Sequence, residues 1–116
     1  MKKILVVEDN YSNFILMSYV LKHHYEFFRA VNGQEAVEKV EEEDYDLILM
    51  DINMPVMNGI EATRLIKAKH PSLPIIAITA NAFDTDREHA MEAGCDDFMA
   101  KPISSEKCLK IIAKYI

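Results

Sequence analysis

Residues 47–59 read Leu-Ile-Leu-Met-Asp-Ile-Asn-Met-Pro-Val-Met-Asn-Gly, four apolar side chains in a row that run straight into one carboxylate, Asp51. An unbroken apolar run of this length is the pattern of a strand buried on both faces, as in a parallel sheet covered by helices on each side. Pro55 cannot donate to a strand ladder and biases Met54 towards an extended conformation, while Asn58-Gly59 is turn chemistry that opens a helix. Asp51 is therefore expected at the lip of a sheet, beside a loop. Taken alone, a strand-terminal Asp is more often a cap or turn residue, its side chain binding nearby backbone, than a catalytic one.

Downstream, Ile60, Ala62, Leu65 and Ile66 make the apolar stripe of a helix that His70-Pro71 stops. Ile75 to Ile78 forms a further buried strand, followed by Thr79-Ala80-Asn81. A helix from about Asp84 to Ala93, with Ala90, Met91 and Ala93 as its core candidates, is predicted to end at Gly94 in a left-handed cap. Residues 97–100 make a short strand closed by Lys101-Pro102. The last helix follows Ser104 or Ser105, with Lys107, Lys110 and Lys114 on its polar side and Leu109, Ile111, Ile112 and Ile116 among its apolar positions. Upstream, residues 3–8 form a first strand ending at Glu8-Asp9. A helix capped by Asn10 or Ser12 then carries Phe14, Met17, Val20 and Leu21 to about His23. Tyr25 to Val31 is a strand of mixed polarity, suited to an edge. Asn32-Gly33 leads into a helix that buries Ala36, Val37 and Val40 and ends in a solvated acidic run. Strands alternating with helices in this way imply one domain over residues 1–116, an α/β doubly wound parallel sheet with helices on both faces.

At 116 residues there is room for one core and not for two. The formal net charge of -6 argues against direct binding of nucleic acid or of an anionic membrane, since neither attracts an acidic body. No apolar run approaches the length of a membrane span, and acidic residues follow the first strand too soon for a signal peptide, so a cytoplasmic location is expected. Cys95 and Cys108 lack the number and spacing of a disulfide framework or a zinc site and read as small core residues. His23, His24, His70 and His89 read as solvated residues on or near helix ends.

In a parallel sheet all strands point the same way, so residues that directly follow the first, third, fourth and fifth strands line one edge. Those residues are Glu8, Asp9, Asp51, Thr79 and Lys101. A first strand beside the third would bring Asp9 next to Asp51. Clustered carboxylates repel and need compensation. Magnesium suits such a cluster, because it accepts one or two carboxylates, keeps waters and leaves room for phosphate oxygens. With Lys101 as an opposing positive charge, the set describes a pocket for a phosphoryl group and makes Asp51 the attacking carboxylate.

The segments VVEDN at 6–10, MDINMPVMNG at 50–59, ITAN at 78–81 and KP at 101–102 resemble the receiver domain of bacterial two-component response regulators, over essentially the whole chain. The resemblance implies a flavodoxin-like five-stranded sheet of order 2-1-3-4-5. It implies that Asp51 takes phosphate from a phosphohistidine on a histidine kinase or histidine phosphotransfer protein. It implies Mg2+ held by Asp9, Asp51 and the backbone carbonyl of Asn53, with Glu8 acting through water. Lys101 would contact the phosphoryl group, Thr79 would be the switch hydroxyl, Phe98 the switch aromatic, and the Lys101-Pro102 bond would be cis. The expected output is altered binding of a downstream protein effector through the fourth helix, fifth strand and fifth helix, with no turnover of a metabolite. Homodimerisation is left open, as is whether the chain stands alone or is part of a longer protein. Glu8 stands where the family often has Asp, and Phe98 where many members have Tyr. A phosphatase of the haloacid dehalogenase type would open an Asp-x-Asp pattern with its nucleophile, whereas Asp51 is followed by Ile52-Asn53. A flavin module would want a Ser/Thr/Gly-rich loop where this chain has Glu8-Asp9-Asn10.

Overall fold

Every apolar run anticipated as a strand is one. The computed structural model describes residues 1–53, 57–80 and 85–116. Along these the elements are β1 (Lys3–Val7), α1 (Tyr11–Leu21), β2 (Glu26–Ala30), α2 (Gly33–Glu42), β3 (Leu47–Asp51), α3 (Gly59–Lys69), β4 (Ile75–Thr79), α4 (Thr85–Ala93), β5 (Asp97–Ala100) and α5 (Ser105–Ala113). All strand pairs are parallel and the sheet order is β2-β1-β3-β4-β5. The expectations for Met54-Pro55, for Asn81 and for a helix start at Asp84 lie outside the described residues.

The apolar runs are continuous because both sheet faces are covered. Side chains alternate along a strand. Leu5, Val7, Ile48, Met50, Ile75 and Ala77 meet Ala36 and Val40 of α2, Ala62 and Ile66 of α3 and Ala90 of α4. Their neighbours Ile4, Val6, Leu47, Leu49, Ile76 and Ile78 face Met17 and Leu21 of α1 and Cys108 and Ile112 of α5. β2 lies at the edge and buries fully only Ala30. Cys95 and Cys108 are both buried thiols. Among the described residues no helix is long and apolar enough to cross a membrane.

Some side-chain assignments need correction. Leu65 is 45% exposed, and the buried set on α3 is Gly59, Ala62, Thr63 and Ile66. That spacing of three, one and three leaves Leu65 outside the stripe, and Thr63 takes its place by pairing with the Cys95 sulfur at 3.7 Å. Met91 is 43% exposed, so α4 buries only Ala90 and Ala93. His70 is half-buried at the α3 C-cap, with Nε2 3.6 Å from Glu41 Oε1, and His89 lies within α4 rather than at an end.

Caps resolve the open choices. Asn10 Oδ1 accepts from the Asn13 amide at 3.0 Å and Ser104 Oγ from Lys107 at 3.4 Å, in preference to Ser12 and Ser105. Asn32 and Asn58 do the same for α2 and α3, accepting from Glu35 and Glu61. The glycines that follow them are there for room. A Cβ on Gly59 would lie 2.5 Å from the Asp51 carbonyl oxygen and 2.7 Å from Ile52 Cα. Gly33 donates to the Met57 carbonyl at 3.1 Å, and a Cβ there would overlap that oxygen. Met57 itself has φ +47, a left-handed conformation that costs a non-glycine residue about 1–2 kcal/mol. Gly94 has φ +116, in keeping with its expected role past the end of α4.

Candidate functional site: an acidic crevice at the carboxyl edge of the sheet

Strand order reverses between β1 and β3, and the two register with Val7 opposite Met50. The residues that come next in each chain segment, Glu8 and Asp9 on one side and Asp51 on the other, are thereby forced together. Each of the three acids offers an oxygen, and these oxygens lie within 4.8 Å of one another. Asp51 is only 2% exposed and Glu8 4%, whereas Asp9 is exposed to solvent. The crevice is thus deep on one wall and open on the other.

Asp51 has both oxygens engaged. Oδ1 accepts from the backbone amide of Asn53 at 2.9 Å, and Oδ2 lies 3.3 Å from Lys101 Nζ. The first bond is the local turn interaction that the sequence alone suggested, so the turn and the crevice share one residue. Lys101 leaves β5 and turns back, with its amide donating to the Thr79 carbonyl at 2.8 Å and its ammonium 3.5 Å from Glu8 Oε1. The Lys101-Pro102 peptide is cis. Thr79 is wholly buried at the end of β4, opposite Ala100 of β5. Phe98 packs in part against the α2–α4 side of the core, and the Arg87 guanidinium of α4 sits 4.4 Å over its ring.

Burial drives the electrostatics. It raises the Glu8 carboxyl to about 8, reinforced by the neighbouring Asp51 carboxylate and only partly opposed by Lys101. Burial alone would lower the Lys101 ammonium, but Asp51 and Glu8 outweigh it and hold it above its ordinary value. Glu8 Oε2 is buried with no hydrogen-bond partner among the described residues. An orphaned oxygen beside two further hard oxygen donors is what a divalent cation would complete, so the residues present fit magnesium.

One contributor was not anticipated. Arg29 of β2 reaches across the edge and donates to the carbonyls of Glu8, Nε at 3.2 Å, and Asp9, Nη2 at 3.1 Å. Its only signal in the sequence is a cation inside a mixed edge strand, between Phe28 and Ala30.

Fold and crevice together define an open, doubly wound α/β domain with an acidic, cation-ready site at its topological switch point. The chain belongs to the response regulator receiver domain family, whose family model matches residues 4–113. It is 44% identical over 97% of its length to a segment of hybrid signal transduction histidine kinase G of Dictyostelium discoideum, and spans 4% of that protein. It is 37% identical to the polar-differentiation response regulator DivK of Brucella anthropi, covering 99% of this chain and 96% of DivK. Among solved structures, the receiver domain of a Pseudomonas aeruginosa sensor histidine kinase, with magnesium coordinated in its active-site cleft, superposes with TM-score 0.92 at 38% identity, covering 98% of this chain and 96% of that one. The receiver domain of the Saccharomyces cerevisiae response regulator Ssk1, crystallised with the histidine phosphotransfer protein Ypd1, gives 0.91 at 31%, covering 98% and 88%. The chain is accordingly a two-component receiver domain, a signalling module and not a metabolic enzyme.

Proposed function

We propose that this domain is a phosphorylation-dependent switch in which Asp51 accepts a phosphoryl group from a phosphohistidine. In that step the P–N bond of the donor breaks, its electrons return to the imidazole, and a P–O bond forms to an Asp51 carboxylate oxygen to give an acyl phosphate. The observation that carries the reading is the cluster of Glu8, Asp9 and Asp51 oxygens within 4.8 Å, faced by the Lys101 ammonium. Magnesium, held by Asp9, Asp51 and the Asn53 backbone carbonyl with Glu8 acting through water, would neutralise charge on the transferring group. Lys101 already lies within reach of Asp51 and is free to follow a phosphoryl oxygen. The same residues would support phosphorylation from a small phosphodonor and later hydrolysis.

The donor would be a histidine kinase or a histidine phosphotransfer protein. Ypd1 bound to the Ssk1 receiver supports that class of partner. So does an apolar groove of about 610 Å3 between α1 and the segment that joins β5 to α5, lined by Leu16, Met17 and Ile103 together with Glu8 and Lys101. Leu16 and Tyr19 stand exposed on its α1 rim. A phosphorelay role goes with a cytoplasmic location, and the net charge of -6 speaks for a protein effector and against nucleic acid.

Output is a population shift. One charge-assisted hydrogen bond contributes about 1.5–3 kcal/mol, whereas turning a switch from mostly off to mostly on needs about 5.5 kcal/mol. Thr79, Lys101 and the repacking of Phe98 must therefore act together, biasing the face formed by α4, β5 and α5. The light anchoring of α4 by two alanines and the Arg87 contact on Phe98 support this route. Incubation with magnesium and acetyl phosphate, followed by intact mass, tests the reading. Wild type should gain one phosphoryl group and Asp51→Asn none; equal labelling of both would remove Asp51 from the role.

A further inference from the structure

We propose that Arg29 is a positioning residue that holds the Glu8-Asp9 turn in the shape that binds the divalent cation. The inference rests on the reading of Glu8, Asp9 and Asp51 as the cation site, and goes beyond it by assigning the support of that site to an edge strand. Two of the three acids sit on the turn that leaves β1, so the convergence of their oxygens on Asp51 depends on the shape in which that turn is held. Arg29, opposite Val6 in the β1–β2 register, holds it from behind. Its guanidinium donates to two successive carbonyls, those of Glu8 and Asp9, at 3.2 and 3.1 Å. A rigid fork can span both, whereas a lysine ammonium is a point charge on a flexible stem.

The guanidinium is itself held in place. It lies 5.3 Å from the ring centroid of Tyr11 and 5.3 Å from that of Phe14, the first turn of the helix that follows the acidic pair. Strand, turn and helix therefore meet on one side chain, through its N–H donors and through cation–π contacts with two neighbouring rings. Two effects of Arg29 on cation affinity have opposite signs. Its positive charge repels a cation, while its grip on the turn keeps the carboxylates convergent. The bond to Asp9 is exposed, so solvent screens the charge, and the guanidinium already faces two carbonyl dipoles. Positioning should win, and losing the outer support of a metal site typically costs at least about tenfold in affinity.

The experiment is a calorimetric titration of Mg2+ into metal-free wild type, Arg29→Ala, Arg29→Lys and Asp9→Asn, with the metal-free melting temperature of each. Wild type should bind and Asp9→Asn should bind far more weakly. Arg29→Ala should bind about tenfold more weakly than wild type, and Arg29→Lys should recover only part of the difference. A residue that merely stabilised the fold would lower the melting temperature without moving the affinity of the folded protein. If wild type and Asp9→Asn behave as stated but Arg29→Ala binds Mg2+ as tightly as wild type or tighter, the positioning role is wrong while the cation site stands. If wild type fails to bind, or Asp9→Asn binds equally well, the cation site is wrong and the Arg29 proposal falls with it. Should Arg29→Ala not fold, Arg29→Lys decides: undiminished affinity overturns the proposal.

Discussion

Glu8 is the residue at which burial and charge conflict most openly. It is 4% exposed, one oxygen faces Lys101 at 3.5 Å, and the other has no hydrogen-bond partner among the described residues. Because its carboxyl is raised from an ordinary 4.5 to about 8, the folded chain holds a proton there that the unfolded chain has released. The stability this contributes is complete below about pH 4.5 and is lost as pH rises through about 8. Wild type without metal should therefore lose melting temperature between pH 5 and pH 8.5 relative to Glu8→Gln, which cannot ionise, and magnesium should shrink the loss by favouring the carboxylate. Parallel thermal melts of the two proteins in chelator and in magnesium check this; identical pH profiles would contradict the burial argument. The acids and Lys101 were legible beforehand because a parallel sheet converts positions after strands into positions on one edge. Arg29 was not, since its partners are backbone carbonyls, which every residue carries and no motif marks.

At the level of elements, three Asn and one Ser cap their helices through side-chain oxygens, and Asn-Gly twice marks the place where a helix starts against a crowded neighbour. The pairs were visible as turn chemistry, but the reason for glycine was not. Crowding at Gly59 comes from Asp51 and Ile52, which are close only once β3 and α3 have packed. Gly59→Ala should accordingly destabilise the domain by about 1–3 kcal/mol in urea denaturation, as overpacking against backbone that cannot yield, while Ala68 on the same helix is already alanine and tolerated. A midpoint unchanged from wild type would show that β3 and α3 have room to move apart. The misassigned Leu65 and Met91 share one cause: each is adjacent in sequence to a buried residue, Ile66 and Ala90, and so lies about 100° round the helix from it, beyond the strip that faces the sheet. α4 emerges as the helix with the smallest buried side chains, two alanines, and its amides should exchange with solvent faster than those of α3, which buries Ile66 and Thr63 as well as Ala62. Hydrogen exchange followed by mass spectrometry checks that order, and equal protection of the two helices would argue against α4 as the responsive element.

Across the whole molecule, a sheet buried on both faces fixes the carboxyl ends of β1, β3, β4 and β5 relative to one another, and the crevice is what those fixed ends enclose. Fold class was within reach of the sequence pattern, because continuous apolar runs separated by helices admit few other arrangements, whereas the strand order came only from the family resemblance of the motifs. What patterning could not supply was depth: that Asp51 would be nearly buried while Asp9 stays open, an asymmetry that leaves one side of the site accessible to a donor. The proposed switch turns on the chemistry of a single side chain, Asp51, and borohydride reduction reads it directly. An acyl phosphate on an aspartate is reduced to homoserine, whereas a free carboxylate or a phosphate ester is not. After treatment with acetyl phosphate, magnesium and borohydride, peptide mass spectrometry should find homoserine at position 51, and none when magnesium is chelated. Phosphorylation accompanied by an unreduced Asp51, or by homoserine at Asp9 instead, would contradict the account.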